Sequence, residues 1–364
     1  MRRGCSPAQR DVRVPDARVQ TAIDNWGPRL IANGIDYNDF VRTTSEIERW
    51  DQWLDAWVAT ADVHHALAIT AREAGRLQSA GEAFLRAAVT YHFSKFVWVL
   101  DPERNRRATH AAVRAMYDAH AILDPSAQRI EAELDGGSVV GNLRRPVGSE
   151  MVPLVLLFPG LDSTKEEFYR WESVFLRRGM ATLSLDGPGQ GETAFQMPIR
   201  HDYEVAVAAI LDAVSDVEGL DLARVGAAGV SLGGYYVVRA AAFEPRLKAV
   251  AGVSGPYDMA ARWDTMPSLT RETLTHHTCA ANEAEARRRA AKLSLSGVTE
   301  RVRQPCLVVT GERDRIVPWE QTKRIADEVP NSEWVLYEDG THVCNNIPFK
   351  YRPLVADWMR DQLG

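Results

Sequence analysis

Cysteine is scarce in this chain, and long apolar runs are missing. Four cysteines occur in 364 residues (Cys5, Cys279, Cys306 and Cys344), with no Cys-x-x-Cys pair and no metal-ligand spacing. That excludes a disulfide framework and a structural zinc site, and it leads us to expect a reducing, cytoplasmic setting. No window approaches the ~18 consecutive apolar residues that a membrane span requires. The N-terminal MRRGCSPAQRDVRVPD carries arginines with no apolar run behind them, so it does not read as a signal peptide. An excess of positive charge is absent too: 43 Lys and Arg stand against 49 Asp and Glu, a net charge of −6. Such mild acidity argues against nucleic acid or an anionic membrane as partner. A G-x-x-x-x-G-K-[S/T] phosphate loop and a dinucleotide fingerprint are both lacking, so neither cofactor nor metal is expected, and the expected partner is a small molecule.

What is present is the composition of a soluble globular protein, 45% hydrophobic and 25% charged. A chain this long buries a core that needs no staples. Its character changes near residue 125. Before that point it reads as helical: Asp16 to Ala32 ending at Asn33-Gly34, Glu48 to Arg76, Ser79 to Leu100, and Pro102 to Leu123 behind an Asp101 N-cap. Trp50, Trp53, Leu54, Trp57 and Val58 recur at three- and four-residue steps, which predicts one buried face. From about Gln128 the pattern is that of strands. RIEAEL and SVVGNLRR flank Asp135-Gly136-Gly137, a hairpin signal. Short apolar runs follow at Val152–Phe158, Ala181–Leu185, Arg224–Ala228, Ala249–Val253, Cys306–Thr310 and Trp334–Tyr337, with helical segments between them. This alternation predicts an α/β fold, a mostly parallel sheet with helices on both faces. We expect two regions, a helical residues 1–124 and a core of residues 125–364. A polar, helix-prone insertion at about 257–301 should lie above the sheet's C-terminal edge, where such folds bind ligands.

Gly229-Val230-Ser231-Leu232-Gly233 follows one predicted strand and precedes a helical run, which is the context a nucleophile elbow requires. Small residues are needed there because the turn is sharp and its neighbours close. A serine needs a base, and the base an orienting acid. Asp258 and Asp314 both lie at predicted strand ends beyond Ser231. Asp314 is the better candidate, in a Gly-x-x-Asp turn after Cys306–Thr310. Only His342 lies beyond it, just past the last predicted strand; the other eight histidines precede it. The backbone N–H groups of Leu161 and Leu232 are the expected oxyanion donors. Asp186-Gly187-Pro188-Gly189-Gln190-Gly191-Glu192 reads as a tight turn after a strand.

Together FPGLDSTKEEF (158–168), RGMATLSLDGPGQGE (178–192), GVSLGGYY (229–236), EDGTHVCNN (338–346) and ADWM (356–359) resemble the α/β-hydrolase superfamily. More narrowly they resemble its 2,6-dihydroxypseudooxynicotine hydrolase branch, which hydrolyses carbon–carbon bonds. The resemblance implies a helical cap built from the N-terminal helices and the insertion, and a possible homodimer. It also implies a glutamate in the insertion near the triad, for which Asp264 is the nearest acid here. Here that stretch reads Arg262-Trp263-Asp264-Thr265-Met266-Pro267, so Trp263 and Asp264 are the expected substrate contacts. The expected activity is a serine hydrolase cleaving a ketone-activated C–C bond in an aryl or polyketide-like 1,3-dicarbonyl compound. The alternatives are an esterase, thioesterase or acyltransferase with the same triad, and a non-catalytic receptor on the same fold.

Overall fold

The computed structural model describes residues 16–148 and 151–364; Cys5 and the rest of the N-terminal MRRGC segment lie outside the described residues. Helices come first: α1 (Ala17–Asn33), α2 (Tyr37–Ser45), α3 (Trp53–Glu73), α4 (Leu77–Ser94) and α5 (Pro102–Leu123). The α5 start is as expected: the Asp101 side chain accepts from the Glu103 and Arg104 N–H groups at 2.9 and 3.1 Å, with proline in the first turn. Gly34 closes α1 at φ 125°, a conformation that favours glycine.

Two expected helices are shorter than their patterns. The helix expected from Glu48 begins at Trp53, after a 3₁₀ turn at Trp50–Gln52. The one expected to reach Leu100 stops at Ser94, because Phe96, Val97 and Trp98 turn inward and are buried, with Val97 at φ 47°. Burial of three large side chains there outweighs helix propensity. The tryptophan stripe is buried as its spacing predicts: Trp50, Trp53 and Trp57 are at most 2% exposed. They share one apolar cluster with Trp26, Phe93, Phe96, Trp98 and Leu269, the last from the insertion.

The sheet has eight strands: β1 (Gln128–Leu134), β2 (Gly137–Arg144), β3 (Val152–Phe158), β4 (Ala181–Asp186), β5 (Leu220–Val230), β6 (Leu247–Val253), β7 (Cys306–Gly311) and β8 (Ser332–Tyr337). Their order is β1-β2-β4-β3-β5-β6-β7-β8. Only the β1–β2 and β2–β4 pairs are antiparallel. A two-residue turn joins β1 to β2, with Asp135 and Gly136 both at positive φ, as the hairpin twist requires. Every residue of β3 and β4 is buried, so both faces of the central sheet are covered. Between the strands run α6 (Tyr169–Leu176), α7 (Glu204–Ala213), α8 (Leu232–Phe243), α9 (Ser268–His277), α10 (Glu283–Ala290) and α11 (Trp319–Glu328), and α12 (Pro348–Leu363) follows β8. The chain between β6 and β7 carries α9 and α10, where an insertion was expected. Among the described residues no helix is long and apolar enough to cross a membrane.

Candidate active site

The polypeptide turns sharply where β5 ends and α8 begins. Ser231 occupies that turn at φ 55°, ψ −123°, a strained conformation for a residue with a side chain. The flanking glycines are forced by contact. A Cβ on Gly229 would lie 2.2 Å from the Gly233 carbonyl oxygen, and one on Gly233 would lie 2.1 Å from that of Phe158.

Two further loops at the same edge meet this serine. His342 follows β8 and Asp314 follows β7. His342 Nε2 is 3.0 Å from Ser231 Oγ, and His342 Nδ1 is 2.7 Å from Asp314 Oδ2. The other Asp314 oxygen accepts from the Ile316 and Val317 N–H groups, each at 2.9 Å, which locks the carboxylate's orientation. Both imidazole and carboxylate are more than nine-tenths buried. An imidazole held this way can take a hydroxyl proton and return it. Asp258, the other candidate acid, instead caps its own turn, accepting from Ala260 and Ala261 N–H. Behind the histidine, Ser254 Oγ accepts from Val343 N–H at 3.1 Å. Cys344 is no rival nucleophile: burial, with Asp314 and Asp339 nearby, pushes its thiol up to about 12.

Leu161 and Leu232 flank the serine, and neither N–H donates to another group among the described residues. The Leu161 loop is held by a residue that the sequence pattern marked only as part of a turn. Gln190 Nε2 donates to the Pro159 and Gly160 carbonyls at 2.8 and 3.0 Å, while its oxygen accepts from Gly187 N–H and Tyr203 OH. A glutamine among glycines, kept off the surface, was the available signal.

The cleft over Ser231 holds about 580 Å³ of empty space, mouth included. Trp26 of α1 lines it, together with Met259, Arg262, Met266 and Thr270 of the insertion and Ile316 beyond Asp314. Thr270 Oγ1 is shielded there and has no hydrogen-bond partner among the described residues. Trp263 and Asp264 are not brought to the serine. Trp263 is buried and donates to Glu283 at 3.1 Å; Asp264 faces solvent in a bidentate pair with Arg287 at 3.0 Å. The 3₁₀ turn at Trp263–Thr265 presents Arg262 and Met266 to the cleft instead.

Beneath the Leu161 loop lies a buried ionic network. Arg29 of α1 makes paired 2.6 Å hydrogen bonds to Glu167 and one of 2.8 Å to Asp162. His92 Nε2 lies 3.1 Å from Glu167. Nearby, the carboxylates of Glu166, Asp186 and Glu192 cluster at metal-ligand spacing, but the Lys165 ammonium sits 2.6 to 2.8 Å from each of them. That ammonium occupies the position a cation would take, so the donor set does not fit a metal ion.

The FrsA-like esterase family matches residues 36–342. The chain is 33% identical over 342 residues to 2,6-dihydropseudooxynicotine hydrolase of Paenarthrobacter nicotinovorans, covering 93% of this chain and 92% of that one. It is 30% identical over 256 residues to the α/β-hydrolase xenA of Xenoacremonium sinensis, covering 66% and 59%. The crystal structure of 2,6-dihydroxy-pseudo-oxynicotine hydrolase superposes with a TM-score of 0.85 at 33% identity, over 93% of this chain and 96% of that one. A mostly parallel eight-stranded sheet, a match through most of the chain and relatives that are hydrolases lead to one assignment: this protein is an α/β-hydrolase belonging to the FrsA-like esterase family.

Proposed function

We propose that Ser231 is the nucleophile of this hydrolase, His342 its general base and then acid, and Asp314 the partner that orients the imidazole. The observation that carries this is the unbroken hydrogen-bond chain from Asp314 through His342 to Ser231 Oγ at the floor of the cleft. Ser231 Oγ attacks a carbonyl carbon and its proton passes to His342 Nε2. The free N–H groups of Leu161 and Leu232 receive the oxyanion. The bond to the leaving group then breaks, and His342 protonates what leaves. Water, activated by the same imidazole, frees the acid from the serine. The helices of residues 16–124 and the insertion act as one enclosure, since Trp26 and Met266 line the same cleft and Leu269 shares the tryptophan cluster.

The bond cleaved is a carbon–carbon bond next to a ketone, in an aryl or polyketide-like 1,3-dicarbonyl compound. Support for this choice is the resemblance to a carbon–carbon hydrolase branch, with 33% identity through most of the chain. The second carbonyl is chemically necessary because it spreads the charge left on carbon as an enolate, which His342 then protonates. Ester cleavage is the competing reading. It is favoured by the placement of Asp264 in solvent and by a cleft whose lining includes no glutamate. Assay of aryl 1,3-diketones beside matched aryl esters decides between them. Diketone cleavage at or above the ester rate is expected. Ester turnover without diketone cleavage would make this a capped esterase. Asp264→Asn should change neither rate.

A further inference from the structure

Ser231 also borders a smaller chamber, bounded by Gly160 and Val230. It offers about 20 Å³ to the centres of water-sized spheres, room for roughly one or two waters and too little for an organic ligand. Among the described residues Ser231 alone lines both this chamber and the substrate cleft. Gly160 lies against the nucleophile: a Cβ built there would be 3.5 Å from Ser231 Oγ. Asn345, three positions past His342 and 7% exposed, lines the chamber, and its side-chain amide has no hydrogen-bond partner among the described residues. A buried amide is costly to leave unpaired. Tyr351 is buried in the same wall. Its oxygen accepts from Arg352 Nε at 3.2 Å, which leaves its own proton unused. Trp171 packs edge-on against the Tyr351 ring at 6.0 Å, and its indole N–H is shielded and without a partner. The charged groups of the wall are engaged: Arg29 holds Glu167 through paired 2.6 Å bonds, and Arg352 donates to Asn33 at 2.8 Å.

The unused groups are an amide and two donors around a space the size of a water. No charge of the wall is left over to meet an ion. A water fits: it accepts from the Tyr351 O–H and donates to the Asn345 carbonyl oxygen. We infer that this chamber holds the water that hydrolyses the acyl-serine, delivered past a wall that the substrate does not occupy. The inference deepens the hydrolase reading and rests on it for the acyl-enzyme. The water oxygen bonds to the acyl carbon, and its proton passes to His342 Nε2, which lies 3.0 Å from Ser231 Oγ. The bond from that carbon to Oγ then breaks, the proton returns to Oγ, and the acid leaves. The plainer role is a structural water that only stiffens the Gly160 loop. That role predicts equal losses in acylation and deacylation.

The test follows p-nitrophenyl acetate, with methanol added as a competing nucleophile, in the full chain and its Asn345→Leu and Tyr351→Phe variants. Each variant should slow loss of the acetyl group by about fivefold, the worth of one hydrogen bond to the water, with acetylation changed by less than about twofold. Methanol enters by the cleft, so the ratio of methyl acetate to acetate should rise by about the same fivefold factor. An unchanged ratio in a folded variant, or equal slowing of both steps, overturns the assignment. A wild-type crystal structure decides even if the ester is refused or a variant fails to fold. A water bonded to Asn345 and Tyr351 is expected, and a dry chamber overturns the site. Peptide mass spectrometry after an acid quench separates this inference from the triad. Acetyl on Ser231 with a ratio that no variant moves removes the chamber's role alone. Neither acetyl nor a fluorophosphonate adduct on Ser231 removes the nucleophile, and the hydrolytic role of the water with it.

Discussion

The clamp between α1 and the Leu161 loop is open to a quantitative test through Arg29→Met. The substitution keeps most of the aliphatic stem and removes the guanidinium. It leaves the Glu167 carboxylate, 4% exposed, facing Asn33, Ser163 and His92 but no paired cation. Breaking a buried pair by removing one partner costs about 3–5 kcal/mol. Against a total stability of about 5–15 kcal/mol, that is a large fraction. Urea unfolding followed by tryptophan fluorescence should show the loss as a lower midpoint at unchanged slope. The double variant Arg29→Met with Glu167→Leu should recover much of it, since the orphaned charge goes too. Acid titration supplies a second readout. Burial pushes the Glu167 carboxyl up, but Arg29 and the hydrogen bonds around it prevail and hold it well below the usual carboxylate range. Glu192 is likewise lowered from 4.5 to about 2, with burial opposing and Lys165 and Arg129 prevailing. A carboxyl depressed in the folded state contributes stability that is complete above its unfolded value and is lost as pH falls toward its folded one. The wild type should therefore lose stability from about pH 4.5 downward, and Arg29→Met should show a shallower acid limb. A cost below about 1 kcal/mol, the level of an exposed pair, with an unchanged acid limb would refute the reasoning.

Ser231→Ala and His342→Ala should each lower kcat by ~10⁴–10⁶ with unchanged circular dichroism, and near-normal turnover by His342→Ala would remove the triad. Asp314→Asn should be severely impaired and Asp258→Asn nearly normal; the reverse ranking in steady-state assays would transfer the orienting role to Asp258. Gln190→Leu strips the Pro159 and Gly160 carbonyls of their donor. It should lower kcat by about 10²-fold with little change in KM, because the Leu161 N–H shifts while the cleft does not, whereas a wild-type kcat would mean the loop holds itself.

Much of the fold could be read from local patterns. The limits of β3 at Val152 and Phe158, the start of α5 at Pro102 and the turn at Asp135-Gly136 all follow from short-range chemistry. Ser231 was legible for the same reason, since the contacts that exclude a Cβ at Gly229 and Gly233 lie within the motif or one strand away. What escaped depends on chain segments far apart in sequence. Arg29 meets Glu167 across 138 positions, and neither residue carries a mark of its partner. Asp264 matched an expected acid in composition, yet which side chain of a short 3₁₀ turn faces the cleft is set by how α9 and α10 settle on the sheet. Helix α2 was missed because it spans only nine residues, YNDFVRTTS, and buries only Thr43. Its N-cap, Asp36 accepting from Asn38 N–H at 2.8 Å, was the signal to follow.

The central claim, an activated serine at the turn between β5 and α8, is tested most directly by a fluorophosphonate probe read by intact-protein and peptide mass spectrometry. One adduct should form on the wild type, map to Ser231, disappear in Ser231→Ala and form far more slowly in His342→Ala. A wild-type protein that stays unlabelled, or that carries its adduct on another residue, would contradict the account.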